Sequence, residues 1–465
     1  MTVSVLWFRR DLRLSDHPAL LAALDAGTSV VPVFVLDPRL IDVDRPRTRR
    51  LVASVRALAA ELEGRLVVRA GDPVEVIPAL AHEVGAETVH VTRETTPFGR
   101  RRDAAVDAAL GRDGRRLVAT GTPYAAGPGV VVTRAGAPYR VFTPFARAWR
   151  QHGSPLPAMP PLRIPWFAGD VGGVALPAAS ADQGGPGDRD RARPDGDAAG
   201  EVPARRRWLD FLADGGLGHY DRDRDRPDLD ATSRMSIPLK YGEIHPRTLL
   251  ADIAAHPEGR SDGAATFVTE LIWREFYADV LWHRPDSAWQ DLRPELSRMA
   301  HDSGTATDRL VSAWREGRTG YPIVDAGMRQ LLAEGWMHNR LRMVTASFLT
   351  KDLHVWWPVG ARHFLDHLVD GDLASNNHGW QWVAGTGTDA APYFRVLNPI
   401  RQAHRFDPLG DYVRRWVPEL AHVEGAAVHE PWNDPNGYGH GYPTRIVDHD
   451  DERREALMRY ELARR

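Results

Sequence analysis

The chain contains no cysteine. Structural disulfides, thiolate-bound zinc, iron–sulfur clusters and thiol nucleophiles are therefore excluded from its chemistry. An excess of either charge is also missing. With 59 Lys and Arg against 62 Asp and Glu the net charge is -3, so a polyanionic partner has to be held by a local basic patch. No run approaches the roughly 18 apolar residues of a membrane span, and the opening MTVSVLWFRRDLRLSDH has no long apolar core after a basic start. A soluble, cytoplasmic monomer with no membrane contact and no metal site is expected. No strand leads into G-x-G-x-x-G, which argues against an ordinary NAD site.

The chain does have length and tryptophan. Its 465 residues correspond to about two or three domains of usual size. Of its 15 Trp, twelve lie beyond residue 207. As far as Ala119, short β-branched runs alternate with Ala/Leu-rich stretches. The runs Val3 to Phe8, Val30 to Leu36, Leu66 to Arg69, Thr88 to Thr92 and Arg116 to Ala119 read as strands. Between them Leu51, Val55, Leu58 and Leu62 recur at spacings of 4, 3 and 4, one face of a helix over Arg49 to Glu63. This pattern predicts an α/β domain over 1–130, a doubly wound, Rossmann-like parallel sheet. In Ala168 to Ala204 the only large apolar residues are Val171, Val174, Leu176 and Val202, so 131–204 is expected to be a partly disordered inter-domain connection. From 205 to 465 helical periodicity takes over, which predicts an all-α domain.

Four segments could carry chemistry. In Thr266 to Leu281, residues Glu270, Trp273, Arg274 and Tyr277 share one helix surface, as they also would in an ordinary amphipathic helix. A second helix, expected over Trp336 to Leu353, is dense in hydrogen-bonding groups at His338, Asn339, Arg340 and Arg342, beside Met343. A solvated face would have similar composition. Asp370 to Trp382 crowds polar caps, three amides and two indoles into thirteen residues. Thr232-Ser-Arg-Met-Ser236 is a hydroxyl-rich run before a helical stretch, fit either for a helix cap or for cradling phosphate.

Taken together, Leu271-Ile-Trp-Arg-Glu-Phe-Tyr277, Gly320-Tyr-Pro-Ile-Val-Asp-Ala326, Trp336-Met-His-Asn-Arg-Leu-Arg-Met343, Asp370-Gly-Asp-Leu373 and Asn376-Asn-His-Gly-Trp-Gln-Trp382 resemble the flavin domain of the photolyase/cryptochrome family. Leu6-Trp-Phe-Arg-Arg-Asp-Leu-Arg13 is similar to the family's first strand. The resemblance is to the class I group acting on cyclobutane pyrimidine dimers, since relatives acting on (6-4) photoproducts are expected to carry a His pair within 337–340. It implies a carbon–carbon lyase with non-covalent FAD, which repairs such dimers in DNA under blue light after flipping them out of the duplex, with an electron supplied by photoexcited reduced flavin. The alternative is a cryptochrome-type photoreceptor that binds FAD but signals.

Carried over by motif, the resemblance implies that Tyr220, Thr232, Ser233, Met235 and Ser236 hold the FAD phosphates and chain. Arg274, Arg342, Asp370, Asp372 and Asn376 complete the cofactor set. Asn376 faces the flavin ring where plant cryptochromes are expected to show Asp, which favours repair. Glu270, Trp273, Asn339, Met343 and Trp382 are assigned to the dimer, and Arg224, Arg340, Arg395 and Arg401 to DNA phosphates. Trp380 and Trp357 match the first members of an electron relay whose third position falls on Gly304, which leaves Trp356 as candidate terminal donor. Phe98 and Gly99 replace an expected Asn–Glu grip on folate. They are read as ring contact and space, and they point to 8-hydroxy-5-deazaflavin as antenna, with folate disfavoured and an empty site as the main rival.

Overall fold

The computed structural model describes residues 2–42, 44–178, 198–388 and 394–464. Five parallel strands, β1 (Val3–Phe8), β2 (Ser29–Leu36), β3 (Val67–Ala70), β4 (Thr88–Val91) and β5 (Arg116–Ala119), stand in the order β3-β2-β1-β4-β5. Chain order therefore reverses at β1, which pairs with β2 from Val3↔Ser29 to Phe8↔Phe34 and with β4 from Ser4↔Thr88 to Leu6↔His90. Both faces of the sheet are covered, so the strands are near-continuous apolar runs. Val5, Trp7, Val33 and Val89 pack with Ile77, Leu80, Val106 and Leu110 of the flanking helices.

All strands expected from the sequence form, to within a residue or so at each end, and the helix expected over Arg49 to Glu63 runs Pro46–Glu61. The connection departs from expectation. Instead of an exposed strap, residues 164–174 run along the sheet: Val30 donates to Pro165 O (3.0 Å), Phe167 to Val30 O (2.9 Å) and Val174 to Val68 O (2.8 Å). Its sequence was too poor in apolar residues to reveal this, because backbone groups make the attachment. The same stretch, expected over 131–204 to be partly disordered, also contains the helix Phe142–His152 and the start of the helix Glu201–Ala213, while 179–197 lie outside the described residues.

Two compact units result, and their boundaries are not those expected at 130 and 204. One comprises Met1–Pro138, Ala146–Gly218 and Ser233–Pro285, the other Tyr139–Phe145, His219–Thr232 and Asp286–Arg465. The second is helical around a core of Trp314, Tyr321, Leu331, Trp357, Phe364 and Trp380. No helix among the described residues is long and apolar enough to cross a membrane.

Candidate functional site

The helix Leu373–Ala384 starts where the Asp372 side chain accepts from Ser375 N (3.1 Å). Its polar residues then divide between two sides. Asn377 donates to Ala288 O, Gln381 donates to Ser287 O (2.7 Å) and accepts from Leu292 N (2.9 Å), and the Ser287 hydroxyl meets His378 Nε2 (2.9 Å). Burial lowers His378 to about 4, so the ring is neutral; with Nδ1 against Ala374 O (2.8 Å), the proton sits there and Nε2 accepts from Ser287. These contacts anchor the helix. Asn376 is different: its amide donates to Ala361 O (3.1 Å) and Asn377 Oδ1 (2.8 Å), while its own Oδ1 accepts from none of the described residues. One turn on, a Cβ added at Gly379 would meet nothing within 4 Å. Glycine inside a helix costs about 1 kcal/mol, and here it keeps space open beside an unsatisfied amide oxygen.

Arg342 supplies a charge to the segment before this helix through Asp370, 28 residues away in the chain. Its Nε donates to Met337 O (2.8 Å) and its Nη2 pairs with Asp370 at 2.9 Å, a carboxylate only 1% exposed. The single helix expected over Trp336–Leu353 is broken at both ends. Gly335, at φ 66, closes the preceding helix, and His338 Nδ1 accepts from Arg340 N (3.2 Å), so the helix begins at Asn339. After Ser347 it widens into a π turn, Phe348–Asp352, closed by Leu353 N–H on Phe348 O (3.0 Å).

A cavity of about 200 Å³ opens in this unit, lined by Arg293, Arg340, Lys351, Arg395 and Arg405 and, among the described residues, by no carboxylate. Met343, Trp382 and Phe406 supply its apolar wall. Arg340 is oriented by Asp225 (2.5 Å) and lies over the Phe406 ring (4.3 Å). Lys351 is buried, and burial lowers its pKa to about 7. Of the four arginines expected on phosphates, Arg340 and Arg395 line this cavity. Arg401 is exposed at the start of the helix Pro399–Phe406, and Arg224 sits by Tyr220 (5.6 Å) and Asp225 (3.8 Å). Lys351, Arg293 and Arg405 were missed by sequence reasoning, since isolated cations carry no motif.

Trp380 is buried between Phe364 (ring centroids 4.9 Å) and Trp314 (6.1 Å); it lies so close over Gly360 that a Cβ there would come within 2.1 Å of the ring. Trp357 Nε1 donates to Asp291 (2.8 Å). Gly304 caps the helix Thr305–Glu316 at φ 94.

In the other unit, Glu270 and Trp273 lie half-buried on the helix Asp262–His283, Trp273 beside Tyr277 (5.3 Å). Arg274, expected on the cofactor, donates to Pro123 O (2.9 Å) and Leu239 O (3.3 Å) and covers the Tyr124 ring (4.3 Å). Neighbouring Glu275, which the sequence reading passed over, gathers the backbone N–H groups of Ala125, Ala126 and Gly127, and burial raises its pKa. The hydroxyl-rich run does not cap its helix as expected. Ser233 Oγ accepts from Met235 N (3.3 Å), and the six-residue helix Ser236–Tyr241 begins with no side-chain cap; the Thr232 and Ser236 hydroxyls make no hydrogen bond to described residues. The space expected over Gly99 is filled: a Cβ there would meet the Glu94 side chain at 1.7 Å. Burial pushes Glu94 up, but Arg10, Arg9 and Arg102 outweigh it and hold the carboxyl below its usual range. Phe98 lies between the guanidinium groups of Arg39 (5.3 Å) and Arg102 (5.9 Å).

Residues 4–162 match the family model described as DNA photolyase, and 267–462 the one described as the FAD binding domain of DNA photolyase. The deoxyribodipyrimidine photo-lyase of Streptomyces griseus is 42% identical, with 100% of this chain and 99% of that protein covered. Among solved structures, a class III photolyase from Agrobacterium tumefaciens superposes with a TM-score of 0.89 at 37% identity, covering 100% of this chain and 98% of that one. A cryptochrome from Synechocystis sp. PCC6803 gives 0.85 at 27%, with 98% of each chain covered. The chain belongs to the DNA photolyase family. Its activity is light-driven repair of pyrimidine dimers in DNA, ahead of cryptochrome signalling, and its helical part is the family's FAD-binding domain.

Proposed function

We propose that the basic cavity receives the flipped-out cyclobutane pyrimidine dimer and that the open side of the 373–384 helix faces FAD. The observation that carries this is the cavity itself, with four arginines and Lys351, no carboxylate among the described residues, and Trp382 and Met343 as an apolar wall. An indole face stacks on a base whatever its sequence, and the arginines at the rim suit the phosphates on either side. Arg340, fixed by Asp225, and Arg395 take phosphate, and Asn339 at the helix start lies next to Arg340 in the chain. Glu270 and Trp273 keep their assignment to the dimer, with Glu270 as hydrogen-bond partner to its carbonyl groups.

The donor set of the 373–384 helix fits a flavin. Asn376 offers an amide oxygen without a partner and Gly379 leaves room for a ring beside it. Arg342 and Asp370 hold each other at that end, Asp372 caps the helix, and the Thr232 and Ser236 hydroxyls remain available for phosphate. Tyr220, Ser233 and Met235 keep their assignment to the cofactor by their match to the family motif, whereas support for Arg274 is weakened by its three partners within its own unit. Bound FAD supplies the light-driven electron that splits the dimer. The protein's part is to hold the dimer dry and oriented, and to place hydrogen-bond donors where charge develops on it.

For the antenna we infer 8-hydroxy-5-deazaflavin in the α/β unit. Phe98 supports this in having no side-chain hydrogen bond with which to grip a pterin, although its ring is already engaged by the guanidinium groups of Arg39 and Arg102, while Gly99 serves to admit Glu94. Added deazaflavin is expected to bind and to widen the action spectrum of repair; tight binding of reduced folate instead would overturn the assignment.

The dimer assignment is tested with Trp382→Ala and Glu270→Ala in the FAD-loaded enzyme, using a duplex with one thymine dimer. Both are expected to weaken binding or repair with flavin content unchanged, Trp382→Ala by about 1 to 3 kcal/mol in binding. Loss of flavin from either variant would overturn it.

A further inference from the structure

The chain uses arginine almost without exception: 57 of its 59 basic residues are Arg, and Lys240 and Lys351 are its only lysines. Lys351 is buried, on the last-but-one residue of the π turn, where its ammonium donates to the main-chain carbonyl of Arg395, 44 residues away. The same ammonium lies 3.7 Å from the centroid of the Phe394 ring. Against that ring Tyr460, from the helix His449–Ala463, stacks at 4.3 Å and 15°. Phe394 also lies so near Gly385, which ends the Trp382 helix at φ 86, that a Cβ there would approach within 2.9 Å. A guanidinium is planar and broad, whereas an ammonium is compact enough to reach a carbonyl and an aromatic face together. A compact donor suits this position.

We propose that Lys351, Phe394 and Tyr460 form a clamp that fixes segment 394–397, presenting Arg395 and Leu397 to the cavity before DNA arrives. They are positioning residues for lesion binding. Without the clamp the segment would have to be ordered on binding, and that ordering would be subtracted from the affinity. The proposal rests on the reading of the cavity as the lesion site, and it adds that part of this site's affinity is set by the 449–463 helix, none of which carries a recognised motif.

Tyr460 is partly exposed, so its variants are expected to fold even where Lys351→Met does not. In the FAD-loaded enzyme, Tyr460→Ala is expected to bind a duplex with one thymine dimer about tenfold more weakly, while flavin content and repair per absorbed photon at saturating DNA stay as they were; Tyr460→Phe, which keeps the stack, restores affinity. Lys351→Met is expected to weaken binding as well, since it removes both the clamp and a basic group of the cavity wall. Unchanged affinity in Tyr460→Ala, or a fall in repair at saturation, overturns the clamp. Trp382→Ala serves as the reference: if it too leaves lesion binding unchanged, the placement of the lesion in the cavity fails; if it alone weakens binding, only the clamp fails.

Discussion

Trp356 and Trp357 are neighbours in sequence with ring centroids 6.5 Å apart, the first 40% exposed and the second 1% exposed. An adjacent buried and exposed indole is the geometry required of the last step of an electron path to the surface. Successive residues diverge by about 100° where the helix begins, and Trp356 is its cap. Trp356→Phe is expected to slow light-driven reduction of oxidised FAD, and Trp380→Phe to abolish it, with repair by chemically reduced enzyme retained in both. Transient absorption after a flash reads this directly, and a normal rate in Trp356→Phe would mean another exit.

The Arg342–Asp370 pair gives a second prediction. Removing one partner of a buried pair leaves the other charge uncompensated, at a cost of about 3 kcal/mol or more. Arg342→Leu is expected to lower thermal stability and the FAD retained after purification, whereas the double variant Arg342→Leu, Asp370→Leu recovers stability but not FAD. If FAD content stays full in Arg342→Leu, the pair has no part in holding the cofactor.

Arg395 is one of four arginines that line the cavity with Lys351 in a chain whose net charge is -3, so the attraction for DNA is local. Binding is expected to weaken steeply with salt, and Arg395→Ala to reduce the slope of log K against log salt by roughly one. An unchanged slope would remove Arg395 from the phosphate contacts.

Glu61 supplies a pH prediction. Glu61 is exposed at the surface; partial desolvation of its carboxyl, then the neighbouring carboxylates of Glu201 and Glu243, raise it to about 7 from 4.5, and solvent around the residue screens part of that rise. Between those values the folded chain binds more protons than the unfolded one, so this stabilisation is full below about 4.5 and is lost as pH rises through about 7. Glu61→Gln is expected to raise the melting temperature at pH 8 and to flatten its fall between pH 5 and 8. An identical pH profile in the variant would show that Glu61 ionises freely.

The β-branched runs announced the sheet because parallel strands buried on both faces have little polar alternation to confuse them. The dense amides of 376–382 marked the helix that carries Asn376 and Trp382, though not which amides anchor it: Asn377 and Gln381 turn to segment 287–292, and only contact at a distance in sequence decides that. The break at His338 was hidden because a histidine cap has the same composition as a helical histidine. Lys351 was invisible for a similar reason, its partner lying 44 residues on, and the attachment of 164–174 to the sheet leaves no side-chain pattern at all.

The π turn at Phe348–Asp352 takes one residue more to close its hydrogen bond than an α-helical turn does. Deleting one residue, Thr350 for example, would leave a more regular helix with better-aligned bonds, and would rotate Lys351 by about 100° relative to the turns before it. The ammonium would then leave the Arg395 carbonyl. Regularity and grip on DNA are thus opposed over five residues, and selection of this chain for heat resistance alone would be drawn to shorten the segment that its substrate needs.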